Sequence, residues 1–494
     1  MVDGLFRKNN YRTKSEGSMK VKFYFAYNHY ILLLLIVFLI GLNGRTLAQS
    51  NFYEQLPGGL ARNTSTKYMA ALDKESAIEK NYWLPAVEIV GLNFSVWGYH
   101  RYLSGENWSN ISRETIKNNF KTGFKWDVDG YLMNQFWHPY HGSNYYNLAR
   151  SNGLSFWESA PYAFGGSLMW EYFMENEAPS YNDIVNTPVT GIILGEISFR
   201  VSNLIIDEST VGFDRFLREF TSTVVDPMQG LNRMISGDMW KAGKPNKRSK
   251  FNVILSGGAH NVFFSSKMNN SKSYVALRVD LNYGDQFSVS DHQKPFDYFT
   301  LHTEVNIAPG DNIVGIFASG VLWDNKLKLF ENSKNIIGIY KEVDIHINTV
   351  YKLSATSVTG QIINTAPLST SVSMQNYFGL SAILMGATNS QYASVSGKDY
   401  NIGPGASAKI GAKVIFKNFG EIYANYKRFW IHTLSGAEGE EFVGLLNIGT
   451  NYQLLENSYL GLDFLLYERY GDYKYFPNTQ DANSALRVYF KQNI

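Results

Sequence analysis

"VALRVDLNY", residues 275–283, is the stretch that decides the fold. Val275, Leu277, Val279, Leu281 and Tyr283 fall in one phase, and Ala276, Arg278, Asp280 and Asn282 in the other. That is the two-residue period of a strand with one greasy and one wet face. The period returns in Phe299, Leu301, Val305 and Ile307 against His302, Glu304 and Asn306, and in Ile337, Ile339, Val343, Ile345 and Ile347 against Tyr340, Glu342, Asp344 and His346. Ala408, Ile410, Ala412, Val414 and Phe416 oppose Lys409, Lys413 and Lys417 in the same way. Leu446, Ile448, Tyr452 and Leu454, then Leu460, Leu462, Phe464 and Leu466, continue it, and Leu486, Val488, Phe490 and Ile494 carry it to the last residue. We count about ten to twelve such segments, each near the ~10 residues of a tilted membrane strand. Turn text such as "NNSK", "APGDN" and "LENS" separates them.

A soluble sandwich also alternates, but it exposes one face of each strand and buries the other against a second sheet. Here the polar phase carries full charges in strand after strand, which suits a water-filled or plugged lumen. The expected fold class is therefore α+β: an N-terminal helical domain followed by a C-terminal antiparallel outer-membrane-type β-barrel of about 10–12 strands over 251–494. Composition agrees. The 494 residues hold 33 Tyr, 32 Phe and 10 Trp with only 18% charged residues, a balance suited to aromatic belts at a membrane interface. A formal net charge of +2, with no basic cluster among aromatics, argues against a nucleic-acid partner.

From Met19 the chain runs Lys20, Lys22, an apolar run Ile31 to Leu42, then Thr46-Leu47-Ala48. The run is shorter than the ~20 residues of a spanning helix and ends in small residues, the pattern of a secretory signal peptide. Residues 1–48 are expected to be a leader with that peptide (Met19–Ala48), and 49–80 an N-terminal extension. With 0 Cys the chain has neither a lipidated cysteine nor disulfides. An exported protein of the Gram-negative outer membrane is expected, with outer-membrane lipids as partners and a small solute as possible cargo.

Residues 81–240 change period. Val87, Val90, Gly91 and Phe94, then Ile193, Ile197, Val201 and Leu204, then Phe213, Phe216, Leu217 and Phe220 recur at threes and fours. A helical domain of about six or seven short helices is expected, broken at Pro139, Pro161, Pro179, Pro188 and Pro227. Ser180 is placed as an N-cap three residues before Asp183. Residues 241–250, "KAGKPNKRSK", form a basic linker.

Within this segment "WDVDGYLMNQFWHPYHGSNYYNLARSNGLSFWES", "GSLMWEYFMENEAPSYNDIVNTPVTGIILGE" and "DPMQGLNRMISG" resemble the bacterial domain-of-unknown-function family 3943. The resemblance implies an envelope location and association with a C-terminal barrel. It implies no chemistry.

The chemistry has to come from the residues. Glu171 and Glu175 share a helix face, with Ser167 a turn earlier. Gly191 and Gly195 make a small-x-x-x-small face that admits a second helix, and Glu196 and Arg200 are spaced to pair. Three readings compete. In the first, Arg150, Glu171, Asp183, Glu196 and Arg200 form a paired network that fixes helix register, because buried charges persist only when compensated. In the second, the catalytic candidates are His138, His141, Glu171, Glu175, Ser180 and Asp183: one histidine is a general base, Glu171 or Asp183 orients it, and Ser167 or Ser180 attacks a lipid ester. The absence of a Gly-x-Ser-x-Gly elbow weakens it. In the third, His138, His141, Glu171 and Glu175 hold a metal, but His-x-x-His without a third nearby His is a weak zinc signal. Neither a cofactor nor a metal is called for. The expected role is an outer-membrane barrel with a helical plug in the lumen or a periplasmic cap, structural or passing a small solute; the alternative is a lipid-modifying hydrolase or acyltransferase.

Overall fold

The computed structural model describes residues 79–243, 249–265, 270–329 and 332–494. The expected signal peptide, the extension up to 78 and the middle of the linker lie outside the described residues. The described chain falls into two compact units, 79–200 with 249–494, and 201–243.

The strands are β1 (Phe251–Phe264), β2 (Ser271–Tyr283), β3 (Phe299–Ala308), β4 (Asp311–Leu327), β5 (Lys334–Ile347) and β6 (Lys352–Pro367). They continue as β7 (Val372–Asn389), β8 (Tyr400–Phe416), β9 (Gly420–His432), β10 (Gly439–Leu455), β11 (Ser458–Tyr473) and β12 (Thr479–Asn493). Each pairs antiparallel with its neighbours in sequence, and β1 pairs with β12, so twelve strands close into a barrel with no free edge. Gly258 opposes Tyr489 in the closing pair, and a Cβ there would meet the carbonyl oxygen of Val488. The sequence segments were expected near ten residues; the strands run to eighteen. The acid-rich text "LSGAEGEEFVG" (434–444) has the look of a surface loop, yet β10 begins inside it at Gly439 and Glu441 is fully buried, paired with Arg469.

The greasy phase faces outward, with Val275, Leu380, Ile410, Leu460, Val488 and Phe490 all exposed. The wet phase faces inward and is compensated there. Arg278 pairs with Asp280 at 2.8 Å, Arg487 with Glu304 and Asp463, and Lys409 with Glu342. Lys427 on β9 reaches Asp344 on β5 at 2.7 Å, a bridge between strands that are not neighbours in the sheet.

The helices in the first unit are α1 (Leu84–Tyr99), α2 (Arg113–Thr122), α3 (His138–Ser151), α4 (Phe156–Phe173) and α5 (Tyr181–Ile205, to residue 200). Local chemistry starts two of them. Ser112 with Thr115, and Ser155 with Glu158, form reciprocal caps in which each side chain takes the other's backbone N–H. Two expected breaks are not breaks: Pro161 lies inside α4 and Pro188 inside α5. A proline in a helix forfeits one backbone hydrogen bond, and tertiary packing outweighs that loss here. The packing is tight. A Cβ on Gly191 of α5 would stand 2.6 Å from the carbonyl carbon of Gly142 on α3, and one on Gly195 2.7 Å from the Tyr146 ring. Backbone meets backbone at this crossing, which only glycine allows.

The helical segment touches the barrel on outward-facing residues. Phe156 of α4 stacks on Phe296 at 5.6 Å, and Phe296 fills the notch left by Gly320 on the outer face of β4. Arg200 lies 5.4 Å over the ring of Tyr283 and bonds Asp297 at 3.1 Å. Asn134 bonds the hydroxyl of Tyr400, and the Tyr131 amide donates to Asp399 at 3.0 Å. Outward-facing Val314, Ala318, Lys341, Val343, Ser354 and Thr356 on β4–β6 are buried, as are Leu281 on β2 and Phe299 on β3, whereas Val275, Leu380, Ile410, Leu460 and Val488 are exposed.

The second unit holds the end of α5, α6 (Gly212–Val225) and α7 (Pro227–Ser236). Asp226 caps α7 through the Gln229 amide, and Arg233 ties Glu208 to Glu219. Phe213, Phe216 and Phe220 stack along the exposed face of α6. Among the described residues no helix is long and apolar enough to cross a membrane.

Candidate functional site

Two places concentrate charge. The first lies where residues 123–137, the end of α4 and the start of α5 converge. Lys125 and Ser180 pair as a short parallel bridge, which brings Asp127 to the cap of α5. Ser180 caps that helix as its spacing predicts: its Oγ accepts from the Asp183 amide at 3.2 Å and donates to Asp127 at 3.1 Å. Asn182 donates to Asp127 at 2.8 Å and to Asp183 at 3.1 Å. Glu171 accepts from the Ser180 amide at 2.7 Å. His138 Nε2 stands 3.7 Å from Asp129 and 3.9 Å from Asp183, a coulombic contact and not a hydrogen bond.

Burial disfavours the charged imidazole of His138, but Asp183 and Asp129 outweigh it and hold the pKa up at about 10. Burial pushes the Glu171 carboxyl up to about 7, against the Ser180 amide and His138. Burial likewise raises Asp183 and Glu175, each with other carboxylates adding to the effect. His141 is different. It packs between Tyr145 and Trp170, and burial, helped by His138, drives it down to about 3, so it is a neutral ring in an aromatic wall. Ser167 donates to the carbonyl of Asp183 at 3.4 Å, and its partner is backbone. Among the described residues no three His, Asp or Glu side chains are arranged to hold a metal ion.

The five residues grouped as one network belong to two. Glu171 and Asp183 sit in the cluster above, whose cation is His138. Glu196 lies further along α5, fully buried, accepting from Arg150 at 2.8 Å, Arg200 at 2.7 Å and Tyr146 at 2.8 Å. Against its burial the two guanidiniums hold its carboxyl below the ordinary value. Sequence reasoning missed Asp127, Asp129 and Asn134, although "WDVDG" shows the acid pair, and it missed Lys398, whose buried Nζ lies 5.5 Å over Trp126 with no hydrogen-bond partner among the described residues. No local pattern links Lys398 to Asp127, because the fold brings them together from distant parts of the chain.

The second place is the lumen. A cavity of about 540 Å³ is lined by strand residues and the hairpin loops, among them Arg278, Asp280, His302, Glu304, Lys409, Lys427 and Arg487. Among the described residues, none of the helical segment expected to plug the lumen lines it. The end of the barrel that carries the β5–β6 turn is filled from all sides: Val262, Tyr274, Ile313, Tyr351, Ile383, Phe429, Val443 and Ala485 form one buried apolar layer.

Residues 123–228 match the family described as domain of unknown function DUF3943. The DUF3943 match takes in the acid cluster and the glycine crossing, and ends before the first strand. Solved structures similar to this chain include the NanC porin, 9% identical with TM-score 0.27, covering 48% of this chain and 98% of that one. An outer membrane channel from Pseudomonas putida F1 is 7% identical with TM-score 0.27, covering 50% and 96%. The CymD monoaromatic hydrocarbon channel is 9% identical with TM-score 0.24, covering 50% and 89%. No curated protein matches the chain. The barrel assignment rests on the twelve paired strands alone.

Proposed function

We propose that this is an outer-membrane barrel that admits a small polar solute into its lumen from one mouth and passes it only when the apolar layer at the other end moves aside. The observation that carries the reading is the pairing of a charged cavity with a dry floor: polar walls welcome a solute, and the packed layer stops it. Placement in a bilayer is supported by the exposed outward belt on most of the wall and by closure without an edge. In this reading α1–α5 form a collar on the lipid side of β2–β8. Exposed Val87, Phe94, Leu103, Trp157 and Phe164 face acyl chains or the interface, while the charged groups turn to the wall.

The test is conductance of the folded chain in planar bilayers. Wild type should be closed for most of the record, and Tyr351→Ala with Phe429→Ala, which thins the layer, should open a steady current. A wild type already as conductive as the variant would overturn the gate. Fractionation with a heat-modifiable band checks the membrane. A second reading, a lipid-modifying enzyme at His138, Glu171, Ser180 and Asp183, is favoured by the position of that cluster outside the lumen, buried one layer behind the exposed apolar face of the helices. Loss of lipid turnover in Glu171→Gln with an intact melting profile would support it.

A further inference from the structure

The lumen cavity carries side chains that passage alone does not explain. Thr300 and His302 are two apart on β3 and face inward together. The Thr300 hydroxyl lies 3.1 Å from His302 Nε2, and His302 Nδ1 lies 2.7 Å from Asp280 on β2. Arg278 grips both oxygens of Asp280, with Nε at 2.9 and 2.8 Å. Paired with that guanidinium, the carboxylate accepts, and His302 donates to it through Nδ1. In the neutral ring Nε2 then turns its lone pair toward the threonine hydroxyl. The imidazole is stacked near-parallel on Phe317 at 5.7 Å, yet its side chain is 41% exposed to the cavity. Asn282 sits directly opposite Thr300 across the β2–β3 pair and lines the same cavity.

From this geometry we propose that Thr300, His302 and Asp280 form a nucleophile, base and orienting carboxylate for cleaving a small ester in the lumen. Thr300 Oγ1 attacks the ester carbonyl carbon while His302 Nε2 takes the hydroxyl proton. The Asn282 amide is placed to donate to the oxyanion. The carbon–oxygen bond to the alcohol breaks and the alcohol leaves with the proton from His302. Water, deprotonated by His302, then attacks the acyl-threonine, and the acid departs with Thr300 restored. The substrate class follows from the lining: Ile254, opposite Asp280 in the β1–β2 pair, and Tyr298, two before Thr300, suit a short acyl chain, Arg278 and Glu304 a polar alcohol, within a volume usual for drug-sized ligands.

The full chain, folded in detergent, is assayed on p-nitrophenyl butyrate, with the heat-modifiable band as the check on folding. Wild type should turn it over. Thr300→Val, which removes only the hydroxyl, and His302→Ala should each lose about 100-fold or more, the usual range for a missing nucleophile or base. Thr300→Ser should keep activity. A fluorophosphonate probe should add its mass at residue 300 in wild type and Thr300→Ser and at neither of the other variants. Turnover that survives in Thr300→Val, labelling elsewhere, or an inactive folded wild type overturns the proposal. None of these results bears on the conductance test, so the gate and the relay fail separately.

Discussion

Replacing Glu196 by Ala should loosen the collar from the barrel. Glu196 is fully buried and takes four hydrogen bonds, from Tyr146 at 2.8 Å, Arg150 at 2.8 and 3.3 Å and Arg200 at 2.7 Å. Removing one member of a buried ion pair costs about 3–5 kcal/mol, because the partner charge stays behind uncompensated. The lower end applies. Arg200 keeps Asp297 at 3.1 Å and the Pro295 carbonyl at 2.8 Å, and Arg150 keeps the Leu154 carbonyl and its place 4.4 Å over Phe199. A loss of about 3 kcal/mol is roughly a hundredfold in the local opening equilibrium. Hydrogen–deuterium exchange of amides 181–200 in detergent reads that factor directly. Glu196→Gln should fall between wild type and Ala, since it keeps the volume and one set of acceptors. Adding Arg150→Met to Glu196→Ala should recover part of the loss by removing a stranded charge. Unchanged exchange in Glu196→Ala, or a double variant worse than the sum of its singles, would refute the compensation argument.

Gly191→Ala should cost about 3 kcal/mol, the top of the overpacking range, because its Cβ meets the Gly142 backbone at 2.6–2.8 Å and backbone cannot yield. Gly165→Ala has no neighbour within 4 Å and should be neutral or gain about 0.5–1 kcal/mol; protease-resistant yield separates the two. The acid cluster predicts alkaline sensitivity. The His138 pKa rises from 6.5 to about 10 in the fold, so its stabilisation is complete below about pH 6.5 and is lost as the pH climbs through 10. Glu171, raised from 4.5 to about 7, acts in the same direction at lower pH, and His138→Gln should flatten only the alkaline arm of an exchange-versus-pH curve.

The barrel was legible because strand period is a local property: Val275 to Tyr283 declare two faces within nine residues, and closure follows from counting. Helix length was less legible. Pro161 and Pro188 carry strong local stop signals, and the close crossing of Gly142 on Gly191 that outweighs the second of them joins residues 49 apart. The site was half visible. Ser180, Asp183, Glu171 and His138 meet as their spacings allow, but the grouping of Glu171 with the arginines failed. Pairing on helices depends on which turn faces which neighbour, and Glu196, not Glu171, faces Arg150 and Arg200.

The position of the helices was written in the strands and not in the helices. A lipid-facing phase should be greasy without exception, and on most of this wall it is. On β5 and β6 the same phase holds Lys341, Ser354 and Thr356, three polar groups where a bilayer would charge several kcal/mol each. They are buried, and Lys341 bonds the Thr356 hydroxyl at 3.2 Å. Buried interruptions of an outward greasy phase that cluster on adjacent strands therefore mark a strip of wall that protein, not lipid, covers, unlike the half-exposed Arg428 and Glu468 on β9 and β11. A lumen plug has no need of polar residues on the outer face, whereas a collar does. By that reasoning Lys341→Leu should leave the barrel intact in detergent, and the lost partner should show as faster exchange confined to the Thr356 region and the helices above it. Unaltered exchange there would mean the strip is covered for some other reason.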